Sequence, residues 1–299
     1  MTTRQQFHKK VMGGGSTIWM AGAYDALSAT LIDQSNFDGI FTTGFGVSAS
    51  LLGTPDLEIY TLTENLNVVN NIVNAVKKPV VADTDTGYGN VINVMRTVRD
   101  FEKAGVAALI LEDQRSPKKC PAAAAEFPVL PIQEATAKIK AAVDARKDPH
   151  MIIVARTDAV DPNEAIDRAC AYAEAGADLI QPISRSFKGF EDLIKLKTLC
   201  QRRLSLQLME GIWMGDLTKE QVESVAAFAT YPLVPMMSAI HAIQTNLNGL
   251  HASKSFAGCK VPQTNMKDYK ELIGFERIQD LQKHYETMVF DSSSHQKAA

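Results

Sequence analysis

Val80-Val81-Ala82-Asp83-Thr84-Asp85-Thr86-Gly87-Tyr88-Gly89-Asn90 is a short apolar run that ends in two carboxylates and a glycine-rich turn. A buried parallel strand delivers charged groups to a site in this way, because its body is covered on both faces while its carboxyl end stays open. Asp83 and Asp85 stand two apart, so a strand continuing through both would aim them at one face, toward a common cation or polar substrate. Asp and Gly at a strand end also make turns and helix caps. Acids at further strand ends shift the balance toward a site.

Working outward, residues 17–21 and 39–43 read as strands before this one, and residues 107–112, 151–156, 178–183, 205–210 and 228–233 as strands after it. Most intervals between them hold ten or more residues of helical pattern. Two helix-to-strand joints are near copies, Phe101-Glu102-Lys103-Ala104-Gly105-Val106-Ala107 and Tyr172-Ala173-Glu174-Ala175-Gly176-Ala177-Asp178. Each puts glycine where a helix needs a left-handed cap, just before an apolar strand. Eightfold alternation over this length predicts an α/β protein of the closed (β/α)8 TIM-barrel type, with function at the strand carboxyl ends. Residues 1–240 are expected to form the barrel. Residues 241–299 are expected to add C-terminal helices of the same domain, one of them near 264–288, and a frayed polar tail over 291–297.

With 299 residues, 45% hydrophobic and 22% charged, the chain can bury a sizeable core. Its net charge of −3 and pI of about 6.1, with basic residues only in pairs, exclude a nucleic-acid binder driven by phosphate neutralisation. No apolar run is long enough to cross a membrane. Cys120, Cys170, Cys200 and Cys259 show no metal-binding spacing, and the first ten residues lack the apolar core of a signal peptide. A reducing, cytoplasmic setting is therefore expected.

The strand ends gather Thr42-Thr43-Gly44-Phe45-Gly46, Asp83, Asp85, Glu112-Asp113, Arg156, Asp158, Ser184-Arg185, Glu210 and Tyr231-Pro232. So many acids at one barrel mouth call for a compensating divalent cation. Oxygen ligands favour Mg2+ or Mn2+ over zinc. Arg156 offers a fork for a substrate carboxylate, or else pairs with Asp158 or Glu112 for charge balance. Residues 116–128, with three prolines and four alanines, sit where a barrel carries its lid. There, adjacent lysines would lower the pKa of Cys120. Of two look-alike motifs, one falls away and the other, a dehydrogenase fingerprint, stays only as a weak competitor. Asp85-Thr86-Gly87 stands alone, whereas aspartic-protease chemistry needs two such loops. Gly44-Phe45-Gly46-Val47-Ser48-Ala49 resembles a dinucleotide fingerprint, but Gly53-Thr54-Pro55 interrupts the helix that a dehydrogenase would need.

From about Ala23 to Ala242 the sequence resembles the isocitrate lyase/phosphoenolpyruvate mutase superfamily. The likeness is carried by Tyr24-Asp25-Ala26-Leu27-Ser28-Ala29, Gly46-Val47-Ser48-Ala49-Ser50, residues 83–90, Leu111-Glu112-Asp113-Gln114, Pro117-Lys118-Lys119-Cys120, Ala155-Arg156-Thr157-Asp158-Ala159, Met209-Glu210-Gly211 and Tyr231-Pro232-Leu233. The resemblance implies a Mg2+-dependent enzyme acting on small 2-oxo or 2-hydroxy carboxylates through an enolate-like species. It also implies a homotetramer with C-terminal helices exchanged between paired subunits. It makes Asp85 the main metal contact with Asp56, Asp83 and Glu112 as partners, and Cys120, Arg156 and Lys119 the catalytic groups. Thr43, Gly44, Phe45, Asp83, Arg156 and Glu210 become the substrate contacts.

Lyases of this family carry Gly-His after the lid cysteine, and usually a Glu after the sixth strand where mutases have His. Here Pro121-Ala122 and Ile183 stand instead, and Gln207 replaces a common Asn. The expectation is a carbon–carbon lyase acting on a substituted malate or methylisocitrate-like 2-hydroxy dicarboxylate. Its alternatives are a phosphonate mutase or hydrolase, an oxaloacetate hydrolase or decarboxylase, and an inactive homologue that only binds a 2-oxo acid.

Overall fold

Eight parallel strands close on themselves in sequence order: β1 (Ile18–Ala23), β2 (Gly39–Thr42), β3 (Val80–Asp83), β4 (Ala108–Glu112), β5 (Ile152–Thr157), β6 (Leu179–Pro182), β7 (Leu204–Gln207) and β8 (Ala226–Tyr231), with β8 pairing back onto β1. This is the expected (β/α)8 barrel. The structure is a computed structural model and describes residues 1–295. Before the barrel lies α1 (Thr3–Met12). Helices α2 (Ala26–Asp33), α3 (Gly44–Leu52), α4 (Leu62–Ala75), α5 (Val91–Ala104), α6 (Ile132–Ala145), α7 (Pro162–Glu174), α8 (Phe190–Cys200) and α9 (Lys219–Val225) join the strands.

Local chemistry fixes these boundaries. Asn90 accepts from the amides of Ile92 and Asn93 to start α5, and Asp161 caps α7 ahead of Pro162. At the two repeated joints, Gly105 and Gly176 take φ of 96° and 101°, a left-handed turn that a side chain would strain. Met20, Phe41, Val81, Ile110, Val154, Leu179 and Phe228 pack in one cluster with Phe7 and Val11 of α1, filling the barrel. A second layer, including Val98, Phe101, Ile139, Tyr172 and Leu196, lies between strands and helices.

Contacts divide the chain into two units, Met1–Ser238, which holds the barrel, and Ala239–Ala299. Helix α10 (Val234–Ser253) runs from the first into the second, which also contains α11 (Met266–Leu272) and α12 (Phe275–His295). The polar tail expected from residue 291 is helical as far as His295, while Gln296 and Lys297 lie outside the described residues. Among the described residues no helix is long and apolar enough to cross a membrane.

Candidate active site

Strand register brings the charges together. Asp83, the last residue of β3, pairs with Ile110, two residues before the end of β4, and Glu112 at that end pairs with Arg156 of β5, so the three strands deliver their charges to the same mouth of the barrel. The strand stops at Asp83, however, and Asp85 follows in a left-handed turn with φ of 48°. That turn returns the Asp85 amide to Asp83 Oδ1 at 3.1 Å, and Tyr88 donates its hydroxyl to Asp85 Oδ2 at 3.1 Å. Asp56 arrives from the segment between α3 and α4. Asp56, Asp83, Asp85 and Glu112 are all buried.

Helix α3 points its N-terminus at this cluster. Gly44 opens the helix, and a Cβ there would come within 2.7 Å of the Tyr60 hydroxyl, 3.0 Å of Asp83 Oδ2 and 3.3 Å of Asp85 Oδ1. Only glycine fits so close an approach. The Gly44 amide lies 3.4 Å from Asp83 Oδ2, and the helix N-terminus as a whole favours an anion beside it.

A lysine neutralises part of the cluster. Lys118 Nζ stands 2.8 Å from Asp56 and 2.9 Å from Asp85, with 2% of its side chain exposed. Arg156 supplies the second cation, at 3.1 Å from Glu112 and in a two-pronged pair with Asp158 at 2.7 and 2.9 Å. The backbone of Asp158 is held in turn by Asp113, which also accepts from Tyr172 and Arg168. Gln114 donates to both Asp158 and the Lys119 carbonyl, linking Arg156 to the root of the lid.

The pKa shifts follow from this crowding. Burial, then the neighbouring Asp85 charge, pushes Asp83 up to about 6. Burial likewise raises Glu112 well above its usual range, against the pull of Arg156 and Lys118. Among the described residues, Glu112 Oε1 is buried without a hydrogen-bond partner, while Glu112 Oε2 and Asp85 Oδ1 meet only the charges of Arg156 and Lys118. Buried, under-satisfied oxygens of this kind fit a hard divalent cation. No three carboxylate, His or Cys side chains among the described residues already stand as a metal cluster. Mg2+ usually keeps several waters and needs few direct protein ligands, so the donor set still suits it.

Above the cluster lies a cavity of about 470 Å³ lined by Thr43, Phe45, Asp56, Asp83, Cys120 and Arg156, with residues of the later strand ends opposite. Residues 120–125 cover it. Arg185 donates to the carbonyls of Pro121, Ala124 and Ala125 and lies over the Phe127 ring, which holds this lid down.

Residues 7–247 match the phosphoenolpyruvate phosphomutase family. The chain belongs to that family. It is 38% identical over 270 residues to a 2,3-dimethylmalate lyase of Eubacterium barkeri, a match covering 89% of this chain and 92% of that one. A solved 2,3-dimethylmalate lyase, described as a member of the PEP mutase/isocitrate lyase superfamily, superposes with TM-score 0.87 at 25% identity, over 95% of this chain and 96% of the other. A phosphonopyruvate hydrolase solved with oxalate and Mg2+ superposes with TM-score 0.84 at 28% identity, over 95% and 99%.

Of the site residues expected from the sequence, Thr43, Phe45, Asp56, Asp83, Cys120 and Arg156 line this cavity, Gly44, Asp85 and Glu112 stand in the buried charge cluster without lining it, and two others lie apart from both. Glu210 was expected at the end of the seventh strand, but β7 stops at Gln207 and Glu210 lies exposed in the following turn, outside the cavity lining. Lys119 is also exposed and outside the lining; its backbone, not its ammonium, is engaged. Lys118 is the lysine inside. The Lys118-Lys119 pair held the signal that could have found it, since neighbouring side chains on an extended segment face opposite ways. The expected effect of the lysines on Cys120 is reversed as well. Burial and the Asp56 charge push the thiol up, outweighing Lys118. Tyr60, fully buried beside Asp83 and Asp85, went unnoticed in the sequence.

Proposed function

We propose that this family member is a Mg2+-dependent carbon–carbon lyase that splits a substituted malate-type 2-hydroxy dicarboxylate into a 2-oxo acid and a second carboxylic acid. The observation that carries this reading is the convergence of Asp56, Asp83, Asp85 and Glu112 beside the N-terminus of α3 and Arg156. Asp85, with Asp56, Asp83 and Glu112 directly or through water, would hold the cation. Bound Mg2+ supplies Lewis-acid polarisation at the oxygen of C2.

The chain's own groups do the rest. Arg156, which lines the cavity, orients the carboxylate next to C2 with the N–H groups that Glu112 and Asp158 leave free, and the amides opening α3 receive the oxyanion side of that unit. As the C2–C3 bond breaks, its electron pair passes to C3, and the Cys120 S–H protonates that carbon. A thiol pushed up by burial remains protonated near neutral pH and is ready to give its proton. The C2 hydroxyl proton passes to the carboxylate cluster.

Phosphoryl chemistry would need cations free to meet a transferred group. Lys118 is committed to Asp56 and Asp85, Lys119 is exposed, and Arg185 serves the lid carbonyls. The proposal includes a cytoplasmic setting, supported by four unpaired cysteines. It also includes a homotetramer with exchanged C-terminal helices, supported by exposed apolar side chains on those helices such as Ile278 and Leu281.

The test is ¹H NMR of the protein with Mg2+ and 2,3-dimethylmalate or other substituted malates. Release of a 2-oxo acid that stops on adding EDTA is expected. No 2-oxo acid from any of them, or release indifferent to EDTA, would overturn the reading.

A further inference from the structure

Charge is divided around the barrel mouth in strand order. The carboxylates, Lys118 and Arg156 enter from β3, β4, β5 and the segments beside them. The continuing arc, beyond β6, β7 and β8, presents Ile183, Met209, Ile212, Met214 and Leu233 to the cavity, under the alanines of the lid. Beneath them the polar groups are neutral: Gln181 accepts from Ser205 at 2.7 Å and from Gln207 at 3.4 Å. The cation of this arc, Arg185, is engaged by three lid carbonyls. Among the described residues lining the arc, no other side chain is charged.

That division bears on which substituent a substrate can carry at C3, and here the argument rests on the lyase reading above. One half of the substrate brings the C2 carboxylate to Arg156, and the other brings the carboxylate attached to C3. A carboxymethyl substituent at C3 would set a third carboxylate among Ile183, Ile212 and Met214, where the one cation of the arc, Arg185, already gives its N–H groups to three lid carbonyls, which is unfavourable. An alkyl substituent would instead bury apolar surface there. The cavity of about 470 Å³ lies in the range of roughly 300–1,000 Å³ that holds ligands much larger than a six-carbon diacid.

We propose that the arc beyond β6–β8 is a specificity pocket for an alkyl group longer than methyl at C3. The substrate class is then the 3-alkylmalates, and the acid released is an aliphatic monocarboxylate rather than a dicarboxylate. In the cleavage, the C2–C3 bond breaks, C3 gains one proton and the C2 hydroxyl loses one as it becomes the carbonyl, so no oxidant or reductant is needed.

The pocket can be tested without turnover by calorimetric titration of 2-alkylsuccinates in the presence of Mg2+. These lack the hydroxyl and cannot be cleaved to a 2-oxo acid. From methyl to ethyl to propyl, affinity should rise about fourfold per methylene. 2-Isobutylsuccinate should bind about tenfold or more tightly than tricarballylate, which has the same shape with a carboxylate in place of the branched end. Ile183→Arg should narrow or invert that ratio. A flat alkyl series, tricarballylate binding as tightly as 2-isobutylsuccinate, or no binding by any of them would overturn the proposal. If the series holds while no 3-alkylmalate yields a 2-oxo acid, the pocket stands and the lyase reading falls.

Discussion

Lys118 carries its charge in surroundings that would ordinarily strip it. Burial lowers a lysine's pKa, yet the carboxylates of Asp85, Glu112 and Asp56 raise it well above the usual range. The ammonium therefore works as a fixed counter-charge for Asp56 and Asp85. Lys118→Met would leave both acids buried without it. In EDTA this should cost about 3–5 kcal/mol in urea unfolding, with part of the loss recovered on adding Mg2+. An unchanged midpoint in EDTA would show that the pair contributes nothing. Asp83 gives a pH signature of opposite origin. Its carboxyl, pushed up to about 6, takes a proton in the folded chain before the unfolded chain does, where aspartates titrate near about 3.9. The stability it contributes is fully present below the unfolded value and lost as pH rises through about 6. In EDTA the urea midpoint should therefore rise as pH falls from 7 toward 5, and Asp83→Asn should flatten that stretch of the profile.

Among the elements, α3 places the most demand on a single position. A Cβ at Gly44 meets the Tyr60 hydroxyl and Asp83 at once, neither being the tip of a long flexible chain. Gly44→Ala should abolish Mg2+-dependent oxalate binding in calorimetry while costing the fold about 1–3 kcal/mol; retained oxalate affinity would remove α3 from the site. The strands and the two glycine joints were legible because period and cap chemistry are local. The ends of the strands were less so. Convergence of Asp83 and Asp85 was expected from strand alternation, but a left-handed turn achieves it, because β3 stops at Asp83, two residues short of Asp85. Glu210 was misplaced for the related reason that hydrophobic pattern does not mark where β7 leaves the sheet. The lysine that faces inward depends on how the lid folds back onto Asp56 and Glu58, a contact about sixty residues apart in sequence and so invisible to local reading.

At the scale of the whole molecule, exposed apolar side chains recur along the C-terminal helices: Ile243, Leu247, Tyr269, Ile278, Leu281 and Tyr285. Surfaces of this kind are covered in stable assemblies. Sedimentation at micromolar concentration should give a tetramer, and Ile278→Asp with Leu281→Asp should shift it to smaller species; a monomeric wild-type chain would remove the assembly from the proposal. The closed barrel also has a consequence for how such chains diversify. Since β1–β5 bear the charged groups and β6–β8 the apolar arc, the two capacities occupy consecutive lengths of one gene. A single recombination between β5 and β6 would pair the bond-breaking half of one relative with the substituent-choosing half of another. Such a product would have to keep the Arg185 contacts with the lid carbonyls, which cross that boundary.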